Sequence, residues 1–119
     1  MIIGIGIDIV ELERIEQLLT KQPRFVQKVL TKEEQSVYQK LAEKRKIEFM
    51  AGRFAAKEAF VKACGTGISK EFGWQDIEVL NEVNGKPVLT ADIEATIHIS
   101  ISHSEKNAVA QVILERLSS

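Results

Sequence analysis

The sequence predicts an α+β fold in a single domain, residues 1–119: a small antiparallel sheet of about five strands packed with a long helix and two or three further helices. Three observations predict it. Residues 2–10 and 96–102 alternate large apolar side chains with small or polar ones, the period of two that a strand requires. Residues 48–64 form the best helical run in the chain, with Gly52, Ala55, Ala56, Ala59 and Ala63 on one arc of roughly 100°. Asn84-Gly85, a pair favoured in type I′ hairpin turns, lies between two short β-prone segments. A chain of 119 residues fits one domain, because dividing it would leave halves with hardly any core.

The first strand, residues 2–10, is unusual. Ile3, Ile5, Ile7 and Ile9 fall on one face and Gly4, Gly6 and Asp8 on the other, so one face carries almost no side chains. Interior glycines weaken a strand and mark a place where another backbone comes close. Residues 11–21 read as an amphipathic helix with Leu12, Ile15, Leu18 and Leu19 on one stripe, stopped by Pro23. A short apolar piece, 24–30, follows. Thr31 with Glu34 is a capping-box start for a helix through about Lys44 carrying Val37, Tyr38 and Leu41. The long helix runs from Glu48 to Cys64 and ends at Gly65, where left-handed caps sit. Segments 76–83 and 86–91 flank the Asn84-Gly85 turn, with Pro87 indicating an edge. A second hairpin pairs 96–102 with 108–114 through a turn at 104–107.

Composition bounds the function. With 45% hydrophobic and 28% charged residues, disorder, collagen and coiled coil are excluded. The longest apolar stretch, 1–10, contains Asp8 and is far short of the roughly 20 residues of a membrane span, so no membrane partner, no signal peptide and a cytoplasmic location are expected. The single Cys64 rules out an intrachain disulfide or a zinc ribbon. A net charge of −1 gives no bulk attraction to nucleic acid, and none is expected as a partner. Yet residues 14–46 hold nine Lys/Arg against four Asp/Glu, so a +5 stretch sits on an otherwise acidic chain. Such a stretch is either a solvated face or a landing site for an acidic macromolecule.

Two carboxylates stand out. Asp8 continues the glycine face of a buried strand and needs something positive there, unless it caps the helix that follows. Glu58 lies beside the alanine face of the long helix, where Lys62 at i+4 offers an ordinary surface ion pair. A glycine-faced strand and an alanine-faced helix are natural packing partners, and docking them brings Asp8 and Glu58 together. Paired carboxylates repel unless a cation sits between them, and Mg²⁺ held by one or two carboxylates, water and a substrate phosphate suits the pair. Arg53 and Lys57 on a second side of the helix, with Lys62, supply cations for that phosphate.

Other signals are weaker. Gly4 and Gly6 lie inside a strand, which excludes a dinucleotide fingerprint. Ser100, Ser102 and Ser104 read as the polar side of a strand before they read as nucleophiles. His103 is either a core histidine or a ring pointing at a ligand near the turn. Gly65-Thr66-Gly67 is a helix cap, with a phosphate-contacting loop as the sharper alternative.

Together the motifs Gly4-Ile-Gly-Ile-Asp8-Ile-Val-Glu11, Gly52-Arg-Phe-Ala-Ala-Lys57-Glu58-Ala-Phe-Val-Lys62-Ala, Gly65-Thr-Gly67, Asn84-Gly-Lys-Pro87 and Ile101-Ser-His103-Ser104 resemble the holo-[acyl-carrier-protein] synthases, the short class of 4′-phosphopantetheinyl transferases. The resemblance spans essentially the whole chain. It implies a Mg²⁺-dependent transferase of fatty acid biosynthesis that moves the 4′-phosphopantetheine arm of coenzyme A to a serine of apo acyl carrier protein and releases 3′,5′-ADP. It further implies a homotrimer with active sites at subunit interfaces. On matching positions, Asp8 and Glu58 become metal ligands and, with Lys62, the catalytic set, the general base being Glu58 or a metal-bound water. Arg53, Lys62 and His103 become coenzyme-phosphate contacts, with Lys44, Gly65, Gly85, Lys86 and Pro87 near the nucleotide. Carrier proteins are acidic, which supplies a partner for the basic stretch, with Arg14, Arg24 and Arg45 as contacts and Phe25 as an apolar anchor or a core residue. The chain departs from the family pattern at 89–96, where the family has a slightly longer connection, so whether a local helix forms there is left open. A metal-dependent nucleotide phosphohydrolase and a non-catalytic coenzyme A-binding module are the alternatives; the second would have no need of the Asp8–Glu58 pair.

Overall fold

The computed structural model describes residues 1–66 and 71–117, so Gly67 of the Gly65-Thr66-Gly67 motif lies outside the described residues. The order is β1 (Ile2–Glu11), α1 (Leu12–Lys21), α2 (Phe25–Val29), α3 (Lys32–Gln39), α4 (Glu43–Cys64), a 3₁₀ turn (Trp74–Asp76), β2 (Glu78–Asn81), β3 (Pro87–Thr90), β4 (Thr96–His103) and β5 (Asn107–Glu115). The five expected strands form and are antiparallel. They divide, however, between a three-stranded sheet in the order β1-β5-β4 and a separate β2-β3 hairpin.

The sheet wraps α4, a 22-residue helix about 33 Å long. Gly4 and Gly6 press against it as the glycine pattern requires. A Cβ added at Gly6 would overlap the carbonyl oxygen of Ala59, and one at Gly4 the carbonyl oxygen of Ala63. Ala55, Ala56 and Ala59 are fully buried, as are Val112 of β5 and Phe60, one turn along from Ala56. Aromatic contacts extend this core: Phe60 meets Phe72 edge-on and Phe54 stacks on Trp74. Gly65 closes α4 with φ 79°. Its N–H donates to the Lys62 carbonyl and that of Thr66 to the Val61 carbonyl, the paired bonds of a Schellman cap.

Several boundaries differ from expectation. The third helix ends at Gln39 and α4 begins at Glu43, so Lys44 belongs to the first turn of the long helix. The break is tertiary: Tyr38 of α3 folds back on Phe49 of α4, with the Lys46 ammonium over its ring. The β2-β3 connection is not a two-residue turn. Gly85 N–H donates to Glu82 O and Glu82 N–H to Lys86 O, so the loop is 83–85, with Gly85 left-handed at φ 89° as a bulge residue. Thr31 does cap α3, accepting from the Glu34 N–H while Glu34 accepts from the Thr31 N–H. Asp8 caps nothing, since Glu11 occupies the N-cap position of α1. Residues 91–95 connect β3 to β4 without a helix.

Candidate active site

Asp8 lies inside β1, opposite Ala110, two residues beyond the Gly6 contact with α4. Its carboxylate accepts from the Lys62 ammonium at 2.9 Å, and the same ammonium donates to the Ile7 carbonyl at 3.0 Å. Lys62 therefore crosses from α4 to β1 instead of pairing with Glu58 along its own helix. Glu58 stands beside this pair. Burial pushes its carboxyl above the ordinary glutamate range and the Asp8 charge pushes the same way, with Lys62 and Arg14 pulling back. The docking of a glycine-faced strand on an alanine-faced helix thus brings Asp8, Glu58 and Lys62 together. Among the described residues no cluster of three or more His, Cys, Asp or Glu could ligate a metal. Two mutually repelling carboxylates still fit a hard divalent cation such as Mg²⁺, which uses few protein ligands.

The other cations of α4 lie elsewhere. Lys57 is fully buried, donating to Glu34 Oε1 at 2.7 Å and to the carbonyls of Val29 and Trp74. Its charge is spent on structure, and Glu34 completes the knot by accepting the Val79 N–H at 2.6 Å. Arg53 is 7% exposed, yet its Nε donates to Val79 O at 3.3 Å and its Nη2 to Asn81 Oδ1 at 3.2 Å, with the guanidinium 4.0 Å over the Phe49 ring. Burial lowers its pKa to about 10, against the Glu34 charge, so it stays cationic at neutral pH. Asn81 pairs with Pro87, which ties Arg53 to the hairpin carrying Gly85 and Lys86.

His103 ends β4 on the Ile97, Ile99, Ile101 side but is not a core residue. Its ring is half-exposed, with Nδ1 3.8 Å from Glu48 Oε2. Lys44 lines a cleft between α1, α4 and the β4-β5 turn together with Glu11, Glu13, Glu16, Glu43, Glu48 and Glu105. That cleft is acidic, a poor single-chain place for an anionic nucleotide. Arg53 and Lys62 are nine residues apart on one helix, so they point to opposite sides and lie roughly 13 Å apart along the axis. One chain does not bring all the expected coenzyme contacts together.

Of the residues expected to meet the carrier, Arg14 is exposed on α1 on the side of Glu58. Arg24 lines a groove with Lys21, Lys28 and Phe25. Phe25 is 6% exposed and packs on Phe54, so it is a core residue whose edge floors the groove, not a protruding anchor. Arg45 is exposed and faces Glu48 at 3.8 Å. Sequence reasoning missed the second task of Glu34, visible only as a cap, and the contacts of Glu48 and Asn81, for which the sequence holds no signal.

The 4′-phosphopantetheinyl transferase superfamily model matches residues 4–113. A holo-[acyl-carrier-protein] synthase from Halalkalibacterium halodurans is 66% identical over 119 residues, covering all of both chains. A crystal structure of such a synthase from Bacillus anthracis, in complex with CoA (3′,5′-ADP), superposes with a TM-score of 0.93 at 55% identity, covering 98% of this chain and 99% of that one. The Helicobacter pylori synthase in complex with coenzyme A follows at a TM-score of 0.82 and 32% identity, covering 93% and 99%. With motifs, fold and near-complete coverage in agreement, the chain belongs to the 4′-phosphopantetheinyl transferase superfamily, among its holo-[acyl-carrier-protein] synthases.

Proposed function

We propose that the protein transfers 4′-phosphopantetheine from coenzyme A to a serine hydroxyl of an apo acyl carrier protein in the cytoplasm, releasing 3′,5′-ADP. The observation that carries this is the Asp8, Glu58, Lys62 cluster. The serine oxygen forms a bond to the β-phosphorus while the bond from that phosphorus to the bridging oxygen breaks, and negative charge grows on the oxygens involved. Lys62, fixed by Asp8 and the Ile7 carbonyl, holds a cation where that charge develops. Glu58, made more basic by its burial, accepts the serine proton directly or through water. Mg²⁺, held by Asp8 and Glu58, would supply neutralisation of the pyrophosphate.

The remaining coenzyme contacts come from a second copy. Arg53, His103 and the 83–85 loop with Lys86 and Pro87 serve the nucleotide of a neighbour, and Lys62 with Gly65 serves the subunit's own metal site. The outer face of the sheet supports this reading. Ile3, Ile5, Ile7 and Ile9 are 39–67% exposed there, beside Val109 and Ile113 of β5. This largely aliphatic face, interrupted by Gln111 opposite Ile7, suits burial by identical subunits, and we assign a homotrimer. The basic groove of Lys21, Arg24 and Lys28 receives the acidic carrier.

Mass spectrometry of an apo carrier protein incubated with coenzyme A, Mg²⁺ and this protein tests the activity. A phosphopantetheine mass gain on the carrier is expected. Release of 3′,5′-ADP with no mass gain would establish a phosphohydrolase instead. Light scattering should give three times 13.3 kDa, and Ile5→Asp should dissociate the assembly.

A further inference from the structure

The coenzyme side of the site contains a residue that no motif marks. Val79 of β2 is clamped through both of its backbone polar groups: its N–H donates to the buried Glu34 carboxylate and its carbonyl accepts from Arg53 Nε. This fixes one edge of the guanidinium against a rigid frame, because Glu34 is itself held by Lys57 and the Thr31 N–H. Phe49 fixes its face. The second edge depends on Asn81, whose Oδ1 is the one acceptor for Nη2 among the described residues. Nη1 has no partner among the described residues, and it is not fully buried, so it keeps some access to solvent. A guanidinium has five N–H groups in a rigid fork, and pinning two nitrogens directs the third.

We propose that Asn81 is a positioning residue of the coenzyme site, which holds Arg53 so that Nη1 is presented to a coenzyme phosphate and locks that cation to the hairpin bearing Gly85, Lys86 and Pro87. It rests on the proposed role of Arg53 as a coenzyme-phosphate contact. Asn81 suits the task because it ends β2 directly opposite Pro87, so one side chain joins α4 to the loop. It is exposed. Without it the guanidinium keeps a single hydrogen bond and is free to swing about Nε, so part of the cost of ordering it falls on the coenzyme.

The test is calorimetric titration of 3′,5′-ADP into wild type, Asn81→Ala, Arg53→Lys and the double variant, with steady-state kinetics on each. Asn81→Ala should weaken 3′,5′-ADP binding and raise KM for coenzyme A by about fivefold, leaving KM for the carrier and kcat unchanged. In the Arg53→Lys background, Asn81→Ala should have no further effect, because the residue acts through that guanidinium. Equal effects in both backgrounds, or unchanged affinity in Asn81→Ala, would each overturn the positioning role while leaving the coenzyme site standing. A wild-type protein that does not bind 3′,5′-ADP would overturn the coenzyme-site reading and this one with it.

Discussion

Gly6→Ala probes the contact that brings Asp8, Glu58 and Lys62 together. Besides overlapping the Ala59 carbonyl oxygen, the added Cβ would sit 2.7 Å from Ala63 N and 2.9 Å from Ala59 C. Carbon is comfortable at roughly 3.5 Å from its neighbours, so strand and helix must separate by about 1 Å or more. The obstructing atoms are helix backbone, which no rotamer change moves, and the cost belongs at or above the top of the usual overpacking range of about 1–3 kcal/mol. At about 4 °C per kcal/mol for a domain of this size, the melting temperature should fall by ~12 °C. Asp8 is two residues along the same strand and Lys62 must reach it from α4, so transfer should fall even at temperatures where the variant is folded. Gly73→Ala is the control, because its nearest new contact, Asp76 Oδ2 at 3.5 Å, is an ordinary one. Urea unfolding, with light scattering to follow assembly, measures the effect. A Gly6→Ala protein within 0.5 kcal/mol of wild type, about the size of an ordinary surface change, would refute the close-approach reasoning.

Further outcomes follow from the same geometry. Glu58 has its pKa raised in the fold, so the folded state holds the proton more tightly than the unfolded chain and metal-free stability should rise as pH falls through that raised value. Glu58→Gln should remove this dependence, raise the metal-free melting temperature at pH 7 in the presence of chelator, and abolish transfer; a lower melting temperature would contradict the assignment. Glu34→Ala leaves the fully buried Lys57 without its carboxylate partner, at a cost of about 3–5 kcal/mol by denaturant unfolding, and a loss below 1 kcal/mol would show the pair to be dispensable. Arg24→Glu should raise KM for the carrier, most steeply at low ionic strength, with KM for coenzyme A unchanged. Arg14→Glu should do the same and also alter kcat, because its charge reaches Glu58.

The sequence determined those features that single segments encode. Gly4 and Gly6 announced a bare strand face, and Ala55, Ala56, Ala59 and Ala63 a bare helix face. Absence of side chains is a local signal, and it was enough to dock β1 on α4 and place Asp8 beside Glu58. The Thr31 capping box and the Gly65 cap were equally local. Tertiary structure alone decided what each cation does. Lys57 and Lys62 are the same residue type on the same helix. One is buried on Glu34, 23 residues away in sequence, and the other reaches Asp8, 54 residues away. Arg53 was divided in the same manner between Val79 O, Asn81 and solvent, and Phe25 was drawn into the core by Phe54. The break between α3 and α4 came from Tyr38 folding onto Phe49, where the helical periodicity ran on through Lys44. Local pattern fixes which face a residue occupies. The charge or ring it meets there comes from distant chain, and desolvation of that pair decides whether it builds the frame or remains free to meet a substrate.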